Sequence, residues 1–390
     1  MSKRKPAAPP RPLAPGDVVA AYSRHLDEWT AAQIIRLDPA TQTAAVLDLT
    51  WSGPEPSSLS DLGDVAPLAL THHTWNGTLS YCNKEWLLPR SHKVIGTIPP
   101  LLDQPADMWG SGWHLGLQLA YQRRWDNGIR EDPVGSWRAA YTGETLNEFF
   151  GRSAEPRSEV KHLSVREVDS LDCERLVRCF PALTDLDLYG RLGTLTAAHS
   201  LNGLASLRRI GIVDLFGMTK DDRLTPSRVP ELESVKLHGI PAEYASVMRT
   251  TWNPEIPKGV LVSVIGVRTP EWVEENRNNP LRDWDGRDGI GGATYKKSVA
   301  EYKTTRRSIL KTLAEDPAGL WPARLEEIGR AYGEAFNALD HRAGFIMTVE
   351  REELYEALDH IMAEAETLQG LDLRDAREHL FSGVDATRDW

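Results

Sequence analysis

Cysteine is scarce in this 390-residue chain, which carries Cys82, Cys173 and Cys179 and no others. So small and odd a number excludes a disulfide framework as the source of stability. It also points to a reducing, cytoplasmic setting. Long apolar runs are missing too. No stretch approaches the ~18–20 apolar residues that span a bilayer, so no membrane partner is expected. Positive charge is in deficit, with 45 Lys and Arg against 56 Asp and Glu and a formal net charge of −11. That excludes a whole-chain basic footprint for nucleic acid but not a local patch. A nucleophile elbow, a dinucleotide fingerprint and a kinase signature are absent as well. The histidines and Cys82 lack the close paired spacing of a zinc site. His72-His73 is the one adjacent pair, and neighbours in a strand diverge. No metal and no cofactor are therefore expected.

The opening MSKRKPAAPPRPLAPG is basic and Pro-rich but has no apolar h-region. It does not read as a secretory signal, and residues 1–14 are expected to form a disordered lead. Beyond it, 41% apolar and 26% charged residues are ordinary for a globular protein with a normal core. Ala, Leu, Arg and Asp are plentiful and Ile and Lys scarce, the balance of a high-GC bacterial genome.

What the sequence does contain is a repeat. VKHLSVRE begins at Val160, LTDLDLYG at Leu183, LRRIGIVD at Leu207 and LESVKLHG at Leu232, in steps of 23, 24 and 25 residues. Each reads apolar-x-x-apolar-x-apolar. Alternate residues of a strand face opposite sides, so Leu163 and Val165, Leu186 and Leu188, Ile210 and Ile212, and Val235 and Leu237 are expected in the core. A fifth strand is expected within 259–267. The pattern resembles the leucine-rich repeat, whose period is ~20–29 residues. It departs from the family where an Asn or Cys usually follows each strand, because those positions hold Val168, Arg191, Leu215 and Ile240. The resemblance is therefore to an irregular member, and it implies a short solenoid with parallel strands on a concave face.

The same alternation defines an outward face. His162, Asp185, Arg209 and Ser234 form one row; Ser164, Asp187, Gly211 and Lys236 a second; Arg166, Tyr189, Val213 and His238 a third. The candidate partner-binding residues are His162, Arg166, Asp185, Asp187, Tyr189, Arg209, Lys236 and His238. The plainer alternative is a solvated face on which Asp185 and Arg209 pair across neighbouring strands.

Residues 15–100 read as short strands: Gly16–Tyr22, Glu28–Asp38, Gln42–Trp51, Asp64–Leu70 and two more within Glu85–Leu101. Their order resembles a Tudor or SH3-like barrel. That resemblance implies a candidate aromatic cage from Tyr22, Trp29 and Trp51, against which stands ordinary aromatic packing. Residues 101–158 read as a Trp-rich linker or cap. Within it 112–125 forms a helix with Leu115, Leu119 and Gln122 in register, and its Arg123-Arg124 is a candidate contact for single-stranded nucleic acid.

Residues 268–298 read as a loop. Asp283, Asp285 and Asp288 miss the calcium-loop spacing, and Gly289, Gly291 and Gly292 before Lys296 miss the phosphate-loop spacing. From 299 onward the period is helical, with Leu325, Ile328, Tyr332, Phe336 and Leu339 on one stripe and Leu354, Leu358, Ile361 and Met362 on the next. The acidic face of 350–366 reads as solvated.

The expected fold is a multidomain α/β chain: an N-terminal antiparallel barrel, a leucine-rich-repeat solenoid over 159–267 and a C-terminal helical hairpin or bundle over 299–390. The favoured function is a non-catalytic scaffold that binds a protein partner on the concave face. Two other classes stay open: a nucleic-acid or modified-protein reader acting through the barrel, and an enzyme or ligand site at 283–292.

Overall fold

A computed structural model describes residues 12–110, 112–130, 137–152, 155–315, 321–370 and 372–390. Most of the expected Pro-rich lead, residues 1–11, lies outside them. The chain is mixed α/β and divides into two compact units, Met1–Arg268 and Thr269–Trp390. Among the described residues no helix is long and apolar enough to cross a membrane.

The first unit opens with β1 (Asp17–Ser23), β2 (Glu28–Asp38), β3 (Thr43–Gly53), β4 (Ala69–Leu70), β5 (Thr78–Leu79), β6 (Tyr81–Glu85) and β7 (His92–Thr97). Five of these make an antiparallel sheet in the order β6-β3-β2-β1-β7, and β4 pairs with β5 separately. β1 and β2 are the central strands and are covered on both faces. Val19, Ala21, Ala32 and Ile34 pack on one side with Trp113 and Leu115, while Val18, Ala20, Ala31 and Leu49 pack on the other. The small Ala side chains suit a sheet buried from both sides. The expected strand at 64–70 is mostly irregular. Its last two residues pair with β5 and Pro67 bridges to Leu49, while β6 and β7 supply the outer strands.

After α1 (Leu117–Asp126) the chain enters a parallel sheet: β8 (Arg138–Thr142), α2 (Gly143–Arg152), β9 (His162–Asp172), α3 (Cys173–Cys179), β10 (Asp185–Thr196), β11 (Arg209–Phe216), β12 (Ser234–His238), α4 (Ala242–Trp252) and β13 (Leu261–Ile265). The six strands lie side by side in chain order. The expected core residues are buried in one continuous cluster with the apolar side chains of the return segments. A fully buried Leu contributes roughly 1.5–3 kcal/mol, so this periodic apolar content is the main stabilising term of the sheet. Three of the four positions where an Asn or Cys was missing are apolar for a reason: Val168, Leu215 and Ile240 are fully buried in the same cluster, while Arg191 is exposed.

Two corrections apply here. The array starts one strand earlier than 159, because β8 pairs in register with β9, Arg138 opposite His162 and Tyr141 opposite Val165. Residues 101–158 are therefore not merely a linker. The strands also share a break: Glu167 within β9, Leu192 within β10 and Asp214 within β11, with Gly239 and Gly266 just after β12 and β13, all have positive φ, between 50° and 62°. Three of these are not glycine, so the sequence carries no signal for the turn.

The second unit contains α5 (Pro270–Asn276), α6 (Gly292–Glu315), α7 (Trp321–Ala343), α8 (Thr348–Gln369) and α9 (Arg374–Asp385) around one apolar core. Residues 268–298 are thus not a plain loop, since they include α5 and the first turns of α6. Trp284 and Ile290 are buried, the Trp284 indole donates to Glu353 at 2.7 Å, and Asp285 accepts from the Trp272 indole at 2.8 Å. Nor is the acidic face of α8 simply solvated. Arg287 bridges Glu350 and Glu353 at 3.0 and 2.6 Å, and Arg306 forks onto Glu364. α7 and α9 approach closely through glycines: a Cβ on Gly329 would lie 2.1 Å from the Leu380 carbonyl oxygen.

Candidate functional site

The outward rows of the parallel sheet fall in register as the repeat spacing requires. His162, Asp185, Arg209 and Ser234 lie opposite one another, as do Ser164, Asp187, Gly211 and Lys236. β13 extends them, placing Leu261, Ser263 and Ile265 beside Ser234, Lys236 and His238. β8 extends the first row at the other edge with Arg138.

The first row is not a solvated face. Asp185 is only 7% exposed, which corrects the expectation that it lies open to a partner. The N-terminal part of the same unit covers it. Arg24, from the β1–β2 turn, pairs with Asp185 at 3.2 Å and donates to the Thr184 hydroxyl. Arg209 donates to Asp185 and, at 3.1 Å, to Glu233. Arg208 shares Glu233 and also donates to Ser91, whose hydroxyl donates to Glu233 at 2.6 Å. Glu85, at the end of β6, accepts from Lys236 at 2.7 Å. The Arg90 backbone N–H donates to the Gly259 carbonyl at 3.0 Å.

Burial acts on the Asp185 carboxyl most strongly and would raise its pKa. Arg209 and then Arg24, with bonds from Thr184 and Arg209, outweigh it and hold the group at about 2. The histidines packed around it go the other way for their charged form. Burial, then Arg24 and Arg209, lowers His25 to about 4, and burial with Arg209 lowers His114 to about 3. Both are neutral at physiological pH, as expected for imidazoles desolvated beside fixed guanidinium charges.

Away from that seam the face opens. A cleft of about 520 Å³ lies between the parallel sheet and the segments carrying Glu85 and Trp113-His114. Its floor is Gly211, which has no side chain to fill it; a Cβ there would sit 2.6 Å from an Asp187 carboxylate oxygen. Asp187 is held by His162 at 3.2 Å. In the third outward row Tyr189 is 40% and Ile265 54% exposed, and His238 is exposed between them. The Arg166 guanidinium lies 5.8 Å from the Tyr189 ring centroid, within reach of a cation–π contact.

Of the eight candidate residues, the structure thus places Asp187, Tyr189, Arg209, Lys236, His238, His162 and Asp185 around one cleft, with Arg166 against Tyr189. Sequence reasoning missed Glu85, Trp113, His114 and Ile265. Ile265 was within reach, since extending the third row by one period lands on it. The others come from distant segments, Glu85 lying 151 residues from the Lys236 it meets, and carry no local signal.

The proposed aromatic cage fares differently. Tyr22 and Trp29 are directly opposed on β1 and β2, and Tyr22 donates to Asp27. The Trp29 ring already carries the chain's own Lys93 ammonium at 4.6 Å, held in place by Glu55 at 2.7 Å. Trp29 and Trp51 also pack against the apolar cluster of Val18, Ala20 and Leu49. Arg123, the candidate nucleic-acid contact, pairs with Glu28 at 3.3 Å, and Gln122 is buried, with its amide donating to the Thr71 hydroxyl and its carbonyl accepting from the Thr71 backbone. Comparison with protein-family models, with curated proteins and with solved structures gives no match.

Proposed function

We propose that the protein is a non-catalytic binding scaffold that holds a segment of a partner protein on the third outward row of its parallel sheet. In this reading the sheet and its return segments are an irregular leucine-rich repeat array. The antiparallel module, a Tudor/SH3-like barrel, serves as a fixed wall of the binding cleft. The observation that carries the reading is the row Arg166, Tyr189, Val213, His238 and Ile265. It presents aromatic, apolar and basic groups side by side, two of them large and well exposed, at the mouth of a cleft floored by Gly211. Exposed large apolar groups beside a cleft are where interface anchors gather. The partner chemistry that fits is an extended segment with one apolar side chain over Gly211 and a carboxylate near Arg166. The cytoplasm is the compartment proposed, on the three unpaired cysteines.

The test is site-specific photocrosslinking in cells. A photoreactive residue in place of Tyr189 should trap a discrete protein, and one in place of Arg175, exposed on the return side, should not. The trapped protein should then bind the purified chain and lose that binding in the Ile265→Asp variant. Equal labelling from both positions, or full binding by I265D, would remove the assignment.

A further inference from the structure

A second cavity, of about 220 Å³, shares His114, His162, Asp185 and Arg209 with the cleft. It differs from the cleft in its charge and its rings. Arg24 and Arg138 also line it, with Tyr121 and Trp137. Three guanidinium groups, Arg24, Arg138 and Arg209, line it with a single carboxylate, Asp185, which Arg24 and Arg209 already share. The histidines add no counter-charge. His25 and His114 are neutral, lowered by burial and by these same arginines. Arg24 itself has its pKa lowered, first by burial; Asp185 opposes that, and Arg209 and Arg208 add to it. The space is therefore a partly desolvated concentration of positive charge, which favours an entering anion.

The aromatic wall is fixed in place. The Trp137 carbonyl accepts from the backbone N–H groups of Lys161 and His162 at 2.7 and 2.9 Å, which pins the start of β8 to β9. The indole meets His25 edge-on at 5.1 Å and carries the Arg138 guanidinium at 5.5 Å. Size narrows the ligand. An apolar cavity of about 150 Å³ takes one benzene ring, so this one has room for a ring and a compact charged group.

We propose that this cavity is a binding site for a small aromatic anion, a single ring bearing a phosphate or carboxylate. The anion is held by Arg24, Arg138 and Arg209, and the ring lies against Trp137 and Tyr121. This goes beyond the protein-binding face, because it needs neither Tyr189 nor Ile265.

The test uses the full chain, with phenyl phosphate, benzoate and inorganic phosphate as probes, read by thermal shift and by titration of tryptophan fluorescence. The variants are Arg138→Gln and Trp137→Leu, at the sheet edge and away from the Arg24–Asp185–Arg209 seam, with folding checked by circular dichroism. Phenyl phosphate or benzoate should raise Tm, and each variant should bind about tenfold more weakly, the value of one charge-assisted contact. Stabilisation by phenyl phosphate alone would identify the group as a phosphate, and by benzoate alone as a carboxylate. Three results overturn the proposal: no Tm shift with either aromatic anion, unchanged affinity in both variants, or inorganic phosphate binding as tightly as phenyl phosphate.

Discussion

Two outward rows of the parallel strands, four residues apart, have the same sequence pattern and opposite fates. In the first, Asp185 and Arg209 lie under Arg24, with Arg208 and Glu233 beside them under Ser91, in a largely buried ion-pair network. In the second, Tyr189, His238 and Ile265 stand in the open. The alternation that sends Leu186 and Leu188 inward is indifferent to this distinction. What separates the rows is the chain's own N-terminal module, which covers one and stops short of the other. A polar residue on an outward face is thus not by that fact a binding residue, since Asp185 is outward from its own sheet and yet buried in the fold.

The comparison breaks most sharply at Asp185. Replacing it by Ala strips Arg24 of its carboxylate and leaves Arg209 with Glu233 alone. The expected loss is about 3–5 kcal/mol, the range for stranding buried charge, read from urea unfolding followed by circular dichroism. A loss no larger than that of an exposed residue would mean the seam contributes nothing to stability.

Acid should weaken the same seam next. His25 and His114 have folded pKa values of about 4 and about 3, below the ordinary 6.5. The unfolded chain therefore binds more protons than the folded one below pH 6.5, and stability falls with pH in that window. Asp185, at about 2, stays ionised throughout it and surrenders its contribution only as pH falls from about 4 toward 2. Thermal midpoints measured from neutral to about pH 4 should decline, and the double variant His25→Gln/His114→Gln should flatten that decline. An identical slope in the variant would place the titration elsewhere.

Lys236 and Glu85 sit between the two extremes, with the Lys236 side chain half exposed. A double-mutant cycle with Lys236→Ala and Glu85→Ala should return a coupling of about 0–1 kcal/mol, as for surface pairs. A larger value would extend the seam into the cleft. Smallest of all, Tyr189→Ala and Ile265→Ser should change stability by within about 0.5 kcal/mol while abolishing capture at the third outward row. A large stability cost would turn that row from a binding surface into structure.

How much of this was legible follows from the range of each interaction. The strand positions, the buried Leu, Ile and Val pairs, the fifth strand and the helical stripes around Tyr332 and Leu358 all rest on periods of two, of three to four, and of about 24 residues. Such periods are written locally in the chain. β8 was missed because RAAYT carries one large apolar residue and small alanines, too weak a match to the pattern. α9 and the close crossing at Gly329 and Gly383 escaped because glycine reads as a break until a second backbone is seen against it. The apparent cage residues Tyr22, Trp29 and Trp51 were found as aromatics, but nothing near them in sequence announced that Lys93 would lie on Trp29.

Local periodicity sets the repeat, its register, its inward face and the list of polar residues that could face outward. Which of those residues are free is settled by packing between distant segments. That choice depends on Arg24 reaching Asp185 and Glu85 reaching Lys236, contacts across 161 and 151 residues. Their energy is the attraction between opposite charges set against the cost of desolvating them, a property of two surfaces meeting and not of either segment alone.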